Sequence, residues 1–161
     1  GQRLNTPHRQ CRPVQPEHYR AIWDADNEAF RDHWGYSDPS EDMYQAHMND
    51  RMFQPHLWKI AWDGDQVVAG VHNMLDEEEN ETYHRKRGYT EDIFTLRPWR
   101  GKGIARALIA ESIRMFREMG MQETHLGVDA DNTSGALRLY QNMGYVVDKD
   151  KTSYMLFKKL E

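Results

Sequence analysis

The central feature of the sequence is the run Thr95-Leu96-Arg97-Pro98-Trp99-Arg100-Gly101-Lys102-Gly103-Ile104-Ala105-Arg106. Residues 92–95 are typical of a β-strand, and an amphipathic helix is predicted directly after Gly103. Backbone N–H groups at the start of a helix have no intrahelical partner and lie at the positive end of the helix dipole, so they favour phosphate oxygens. The two glycines allow close approach to the backbone, and Arg100, Lys102 and Arg106 add positive charge. The stretch therefore predicts a turn that binds more than one phosphate.

Two common nucleotide-binding patterns do not fit this turn. A dinucleotide fingerprint requires a small residue three positions after Gly103, where the chain has Arg106. A P-loop requires Ser or Thr after Lys102, where the chain has Gly103. The pattern that remains is Arg100-x-x-Gly103-x-Ala105, and the simpler interpretation of it is an ordinary strand-turn-helix corner with a solvated basic rim.

Composition limits the class of protein. With 161 residues, 39% of them hydrophobic, the chain can form one core, and we expect a tail or linker over residues 1–11 and a single domain over residues 12–161. A formal net charge of -5 argues against nucleic-acid binding. Cys11 is the only cysteine, so neither a disulfide framework nor a thiolate metal cage is predicted, and we assign no metal ligands. Without a long apolar run or a signal-like start, we expect a cytoplasmic protein that does not contact a membrane.

The remaining periodicities predict alternating helices and strands. The N-terminal half is predicted to contain an edge strand at 12–14, a helix over about 16–29, a second helix from Ser40 that ends before Met52, and a hairpin of residues 57–62 and 66–75. The C-terminal half is predicted to contain a helix that ends at Gly120, a strand at 122–129, a helix capped by Asp131 or Asn132 that ends at Gly144, and a hairpin of residues 145–147 and 152–158.

Two further segments have open interpretations. The aromatic residues around Trp34 and Tyr36, with the helix after Ser40, form either one wall of a cleft or a cover over the edge of the core. Residues 76–81 form a dense acidic loop, which is either solvated surface or a device that attracts a cationic amine.

A second motif follows the phosphate turn: Asn132-Thr133-Ser134-Gly135-Ala136-Leu137-Arg138-Leu139-Tyr140-Gln141-Asn142-Met143-Gly144-Tyr145. Together with the first motif, in this order, it resembles the GNAT superfamily of acyl-CoA-dependent N-acetyltransferases. The resemblance covers about residues 12–160 and is greatest to the C-terminal half of bacterial two-domain, mycothiol-synthase-like proteins. It implies an α/β fold with a mixed, mostly antiparallel sheet, splayed at its centre, and helices on both faces.

The resemblance also implies roles for single residues. The main chain of Ile93, Phe94 and Thr95 would pair with the pantetheine arm of acetyl-CoA, and Asn132 would bind the cofactor arm. Tyr140 would protonate the departing thiolate, which is reasonable because negative charge builds on sulfur when the thioester is attacked. The pyrophosphate would bind the turn formed by Arg100, Gly101, Lys102, Gly103, Ile104, Ala105 and Arg106.

An amine must lose a proton before it can attack, so a base or a water chain is needed. Side chains alternate along a strand, so either Glu91 or Asp92 should face the cleft. We prefer Glu91 as the base, and the rivals on neighbouring strands are Glu123, His125 and His72.

These inferences predict an N-acetyltransferase that moves an acetyl group from acetyl-CoA to a primary amine by direct attack. The alternatives are a non-catalytic acyl-CoA-binding domain of a tandem protein and, with less support, a nucleotide-binding module. An upstream GNAT domain or a homodimer is a possible partner.

Overall fold

The computed structural model describes residues 12–127, 135–148 and 155–160. Its core is a six-stranded sheet in the order β1-β2-β3-β4-β6-β5. The strands are β1 Lys59–Asp63, β2 Gln66–Met74, β3 Arg87–Thr95, β4 Glu123–Gly127, β5 Val146–Asp148 and β6 Met155–Lys159. Of these pairings β3 with β4 is parallel and the others are antiparallel. The predicted mixed, mostly antiparallel sheet is confirmed.

Helices cover both faces of this sheet. They are α1 Tyr19–Ala29, α2 Glu41–Asn49, α3 Glu77–Thr82, α4 Ile104–Glu118 and α5 Ala136–Asn142, with short 3-10 turns at Pro16–His18, Pro55–Leu57 and Arg97–Trp99. One apolar cluster joins α1 to β1, β2 and β3 through Ile22, Ile60 and Phe94. A second cluster, on the opposite face, joins α4 and α5 to β2, β4 and β6. The sheet is therefore buried between α1 on one side and α4 with α5 on the other.

Most predicted helices occur where the sequence placed them. Ser40 begins α2 because its Oγ accepts a hydrogen bond from Met43 N at 3.2 Å, which satisfies one of the free N–H groups of the first turn. α4 ends before Gly120, which has a φ of 86°. The predicted hairpin around Gly64 is confirmed as β1 and β2.

Two local predictions were wrong. Residues 12–14 form no strand, since Pro13 has no N–H to donate to a neighbouring strand. The acidic segment 76–81 is not a loop: Asp76 caps α3 by accepting a hydrogen bond from Glu79 N at 3.0 Å, and acidic residues in a first turn are favoured by the helix dipole. The residues Asp131 and Asn132, predicted to cap α5, lie outside the described residues.

The sheet divides at its centre. β3 pairs with β4 from Arg87 to Thr90, and its remaining residues, 91–95, pair with β2 alone among the described residues. The β2–β3 register shifts between Gly70 and His72, and Asp92 has a φ of 45°. This bulge bends β3 away from β4 at the point where their pairing stops.

In the part of the chain that the structure describes, no helix combines the length and the apolar character that crossing a bilayer requires.

Candidate active site

The turn between β3 and α4 presents a row of free backbone donors. Gly101 and Gly103 have φ values of 75° and 77°, and a Cβ added to either would meet no atom within 4 Å. Among the described residues, the N–H groups of residues 101–106 have no hydrogen-bond acceptor, and no side chain caps α4. Unpaired N–H groups at the positive end of a 15-residue helix, beside open space, suit phosphate oxygens.

The guanidinium of Arg100 is bound by carbonyl groups of the protein itself. Its NH2 donates to the carbonyl of Ala29 at 2.7 Å, and its Nε donates to the carbonyl of Thr95 at 3.0 Å. Asp32 lies 3.6 Å from its NH1 and 3.0 Å from the NH2 of Arg97. The guanidinium of Arg100 therefore ties the turn to the end of α1, while the Nζ of Lys102 lies 5.8 Å from the centre of the Trp99 ring.

The split leaves one edge of β3 open beside this turn. In an antiparallel strand the backbone groups of successive residues point alternately to the two sides, so some backbone groups of residues 91–95 are directed away from β2. Phe94 anchors this segment, since its ring fills the space where a Cβ on Gly70 would lie, 2.6 Å away. An extended ligand with amide groups could pair with the open edge of Ile93, Phe94 and Thr95.

Tyr140 lies in the apolar cluster that also contains the inner residues of α4 and β4. It is 7% exposed, and Ile93 and Ile104 pack against the same cluster. Its hydroxyl has no hydrogen-bond partner among the described residues, and burial raises the pKa of Tyr140 to about 12. The phenol therefore keeps its proton at neutral pH and has it available for a ligand.

A cavity of about 460 Å³ opens on the α1 face, between α1, α2 and the bulge of β3. Aromatic rings, thioethers and two carboxylates line it. These residues are Trp23, Met43, Ala46, His47, Asp50, Met52, Phe53, Trp58, His72, Met74 and Asp92. Of the two interpretations left open for this segment, the helix after Ser40 fits the first, since it contributes one wall of a cleft, whereas the side chain of Trp34 is fully exposed and does not line this cavity.

Two ionisable side chains of the cavity lining, His72 and Asp92, lie close to a third, Asp26, which does not itself line the cavity. The Nδ1 of His72 lies 3.1 Å from the Oδ2 of Asp92, and atoms of Asp26, His72 and Asp92 lie within 4.8 Å of one another. The imidazole of His72 is 2% exposed and stacks on Trp58 with ring centres 4.0 Å apart. Within the described residues, the His72 Nε2 and the Asp26 Oδ1 are buried without a hydrogen-bond partner.

The charges in this cluster affect one another. The hydrogen bond from His72 lowers the pKa of Asp92, so Asp92 is ionised. Burial, and then the charge of Asp92, raise the pKa of Asp26 well above its usual range. Burial also lowers the pKa of His47, whose ring centre is 6.0 Å from that of His72.

The structure separates the candidates for the base. Glu91 is exposed, and in the strand pairing it lies opposite His72 on β2. Partial desolvation, and then the charge of Asp92, raise the pKa of Glu91. Glu123 is bound to Arg87 Nε at 2.8 Å, and its Oε1 lies 3.7 Å from His125 Nε2. Glu123 and His125 both lie on the part of β4 that pairs with β3, away from the split. Of the candidates for the base, His72 lines the cavity together with Asp92.

Sequence reasoning missed Asp26. It follows Ile22 by four residues and precedes Phe30 by four, so it occupies the apolar stripe of α1. A carboxylate within an apolar stripe indicates a buried polar site, and this feature can be recognised from the sequence. Asn132, predicted to bind the cofactor arm, lies outside the described residues and stays a prediction.

A split sheet beside a helix N-terminus with free amides, and a buried phenol in the adjoining cluster, define an acyl-CoA-binding transferase fold. The sequence model of the Acetyltransferase (GNAT) family matches residues 19–145. The chain therefore belongs to the GNAT acetyltransferase family, in which acetyl-CoA is the acyl donor.

Curated relatives share part of the chain. N-alpha-acetyltransferase MAK3 of Arabidopsis thaliana is 36% identical over 104 residues, which are 63% of this chain and 51% of the relative. Mycothiol acetyltransferase of Nocardiopsis dassonvillei is 30% identical over 115 residues, 66% of this chain and 32% of the relative. The chain thus matches about half of the first protein and about a third of the second, and the particular resemblance to one half of a two-domain protein stays a prediction.

Solved structures share the fold. A chain of the NatC complex bound to Gag peptide and CoA superposes with a TM-score of 0.69 at 23% identity, covering 93% of this chain and 97% of that one. PaiA N-acetyltransferase from Thermoplasma acidophilum, solved with coenzyme A, superposes with a TM-score of 0.65 at 16% identity, covering 92% and 96%.

Proposed function

We propose that this protein transfers the acetyl group of acetyl-CoA to a primary amine carried on an apolar body, by direct attack of the amine on the thioester. The observation that carries the proposal is the position of the cavity beside the split, at the bulge of β3. Its aromatic and thioether walls favour an apolar group. The carboxylates of Asp50 and Asp92 favour an ammonium before it loses its proton.

The chain supplies two binding surfaces for the donor. Residues 101–106 offer free N–H groups to the pyrophosphate, and residues 93–95 offer an open strand edge to the pantetheine amides. The proposed binding uses backbone groups, so it does not require the guanidinium of Arg100 to leave the carbonyls that it binds.

Tyr140 acts as the general acid in this proposal. As the amine nitrogen bonds to the carbonyl carbon and the carbon–sulfur bond breaks, the phenol donates its proton to sulfur. A phenol whose pKa is about 12 holds its proton until the sulfur needs it. Its lack of a partner among the described residues leaves it free to do so.

The experiment is acetyl-CoA turnover against a panel of amines. The panel contains peptides with a free α-amine and an apolar first residue, because several relatives are named N-alpha-acetyltransferases. It also contains arylalkylamines and, as polar comparisons, polyamines. We expect turnover of apolar amines, and a preference for polyamines would contradict the proposed acceptor class.

The matched variants are Tyr140→Phe and Tyr145→Phe, whose rings are neighbours with centres 6.4 Å apart. Tyr140→Phe should lower kcat by about 100-fold, in the range typical of general acid catalysis, while the Kd for coenzyme A stays close to that of the wild type. Tyr145→Phe should keep kcat. Tight coenzyme A binding without turnover of any amine would instead support a non-catalytic acyl-CoA-binding domain.

A further inference from the structure

We propose that His72, Asp92 and Asp26 form one proton-accepting unit in which the Nε2 of His72 takes the proton of the acceptor ammonium. The proposal rests on the proposed function and adds the proton acceptor to it. It replaces Glu91, which is exposed and does not line the cavity.

Asp92 determines the tautomer of His72. An ionised carboxylate only accepts hydrogen bonds, so the imidazole nitrogen 3.1 Å away must carry the proton. With Nδ1 protonated, the Nε2 of the neutral ring has a free lone pair. That Nε2 is buried and has no partner within the described residues, and the ring lines the cavity, so its lone pair is free for an acceptor that displaces the side chains covering it.

Asp26 sets the charge around the imidazole. Two ionised carboxylates beside His72 would favour the imidazolium form, which cannot accept a proton. Since Asp26 lies within 4.8 Å of the pair and its Oδ1 is buried, it avoids a second negative charge by keeping its proton. The other ionisable groups that face this region are Glu91 on β3 and His47 and Asp50 at α2.

The protons balance through the reaction. The ammonium gives one proton to His72 Nε2, and the neutral amine then forms the bond to the carbonyl carbon. As the carbon–sulfur bond breaks, Tyr140 gives its proton to sulfur, and the second proton of the nitrogen restores the phenol. The imidazolium of His72 then releases its proton to solvent.

The first test is the pH profile of kcat/KM with saturating acetyl-CoA. In this profile the acidic limb is the fall of kcat/KM at low pH. His72→Gln should lower kcat/KM by about 100-fold and remove the acidic limb. Asp92→Asn should move that limb to lower pH, because loss of the negative charge makes the imidazolium less stable. Glu91→Gln and His47→Gln should both keep the limb. A limb that survives in His72→Gln or disappears in Glu91→Gln would overturn the proposal.

Asp26→Asn tests the charge assigned to Asp26. Asparagine has the neutral charge of a protonated carboxyl, so the limb should stay at the same pH. A move to lower pH would show that Asp26 is ionised at rest, which overturns its assigned role. A rate that falls with EDTA and returns with Zn²⁺ would also overturn the unit, because the three groups would then hold a metal ion.

Nitrogen NMR measures the protonation state of His72 directly and requires no turnover. In protein labelled with ¹⁵N-histidine, the His72 signals, assigned by their absence in His72→Gln, should show the Nδ1–H tautomer at neutral pH and change it in Asp92→Asn. An Nε2–H tautomer or an imidazolium in the wild type would overturn the proposal. If no amine is acetylated, the proposed function fails, while this spectrum still tests the unit.

Discussion

The Oγ1 of Thr90 donates a 2.7 Å hydrogen bond to the Oδ1 of Asn73 at the last position where β3 pairs with both of its neighbours. Asn73 in turn donates to the carbonyl of Leu57 at 2.9 Å and to the Oγ of Ser112 on α4 at 2.8 Å. Thr90, Asn73 and Ser112 are each at most 1% exposed. A fully satisfied buried polar network therefore stabilises the branching point of the sheet.

Thr90→Val should destabilise the protein through this network. Valine has nearly the shape of threonine but cannot donate, so the Asn73 Oδ1 loses its partner in a buried position. We expect the free energy of unfolding to fall by about 1–3 kcal/mol in urea denaturation. The exposed Thr82→Val is the comparison and should change stability little. Equal stability of Thr90→Val and the wild type would show that the network contributes nothing.

Arg100→Lys should be destabilising although it keeps the charge. Lysine has no planar fork that can reach the carbonyls of Ala29 and Thr95 together. We expect Arg100→Lys and Arg100→Ala to lower the free energy of unfolding by a similar amount, about 1 kcal/mol. Arg97→Ala, which removes an exposed partner of Asp32, should cost less. A lysine variant as stable as the wild type would contradict the anchoring role.

Gly103→Ala should weaken coenzyme A binding beyond its effect on stability. Both Gly103 and Gly64 have positive φ with nothing within 4 Å of an added Cβ, so alanine costs about 1 kcal/mol of conformational energy at either position. Gly64 lies in the β1–β2 hairpin, away from the phosphate turn, which makes Gly64→Ala the matched control. Titration calorimetry should show a higher Kd for coenzyme A in Gly103→Ala alone. An equal Kd in both variants would argue against phosphate binding at this turn.

The stability of the fold should fall as the pH decreases through the range in which His125 titrates. Burial, and then the charge of Arg87, lower the pKa of His125 to about 4. Between about pH 6.5 and pH 4 the unfolded chain binds a proton at this residue that the folded chain does not, so the folded state loses stability as the pH decreases, by up to roughly 3 kcal/mol. His125→Gln should reduce this slope in chemical denaturation measured at several pH values.

The exposed His56→Gln provides the comparison for that experiment and should retain the wild-type slope. An unchanged slope in His125→Gln would show that other groups cause the loss of stability.

Local chemistry explains why much of the fold could be predicted. The strand-turn-helix at residues 92–106, the hairpin around Gly64 and the cap at Ser40 depend on neighbouring residues alone, and the structure contains all three. Strand alternation predicts that either Glu91 or Asp92 faces the cleft, and Asp92 is the one that lines the cavity, at a bulge of β3 that the sequence does not reveal. The acidic composition of residues 76–81 predicts a loop, yet the segment forms a helix because Asp76 caps its first turn.

The sequence by itself determined the family, the order of the elements and the turn that suits a pyrophosphate, because glycines, caps and periodicity act over a few residues. Only the tertiary structure decided which ionisable groups meet. Asp26, His72 and Asp92 come from a helix and two strands, and the guanidinium of Arg100 reaches a carbonyl 71 residues earlier in the chain. Burial and charge depend on such long-range contacts, so the protonation of these groups could be inferred only after the chain was folded.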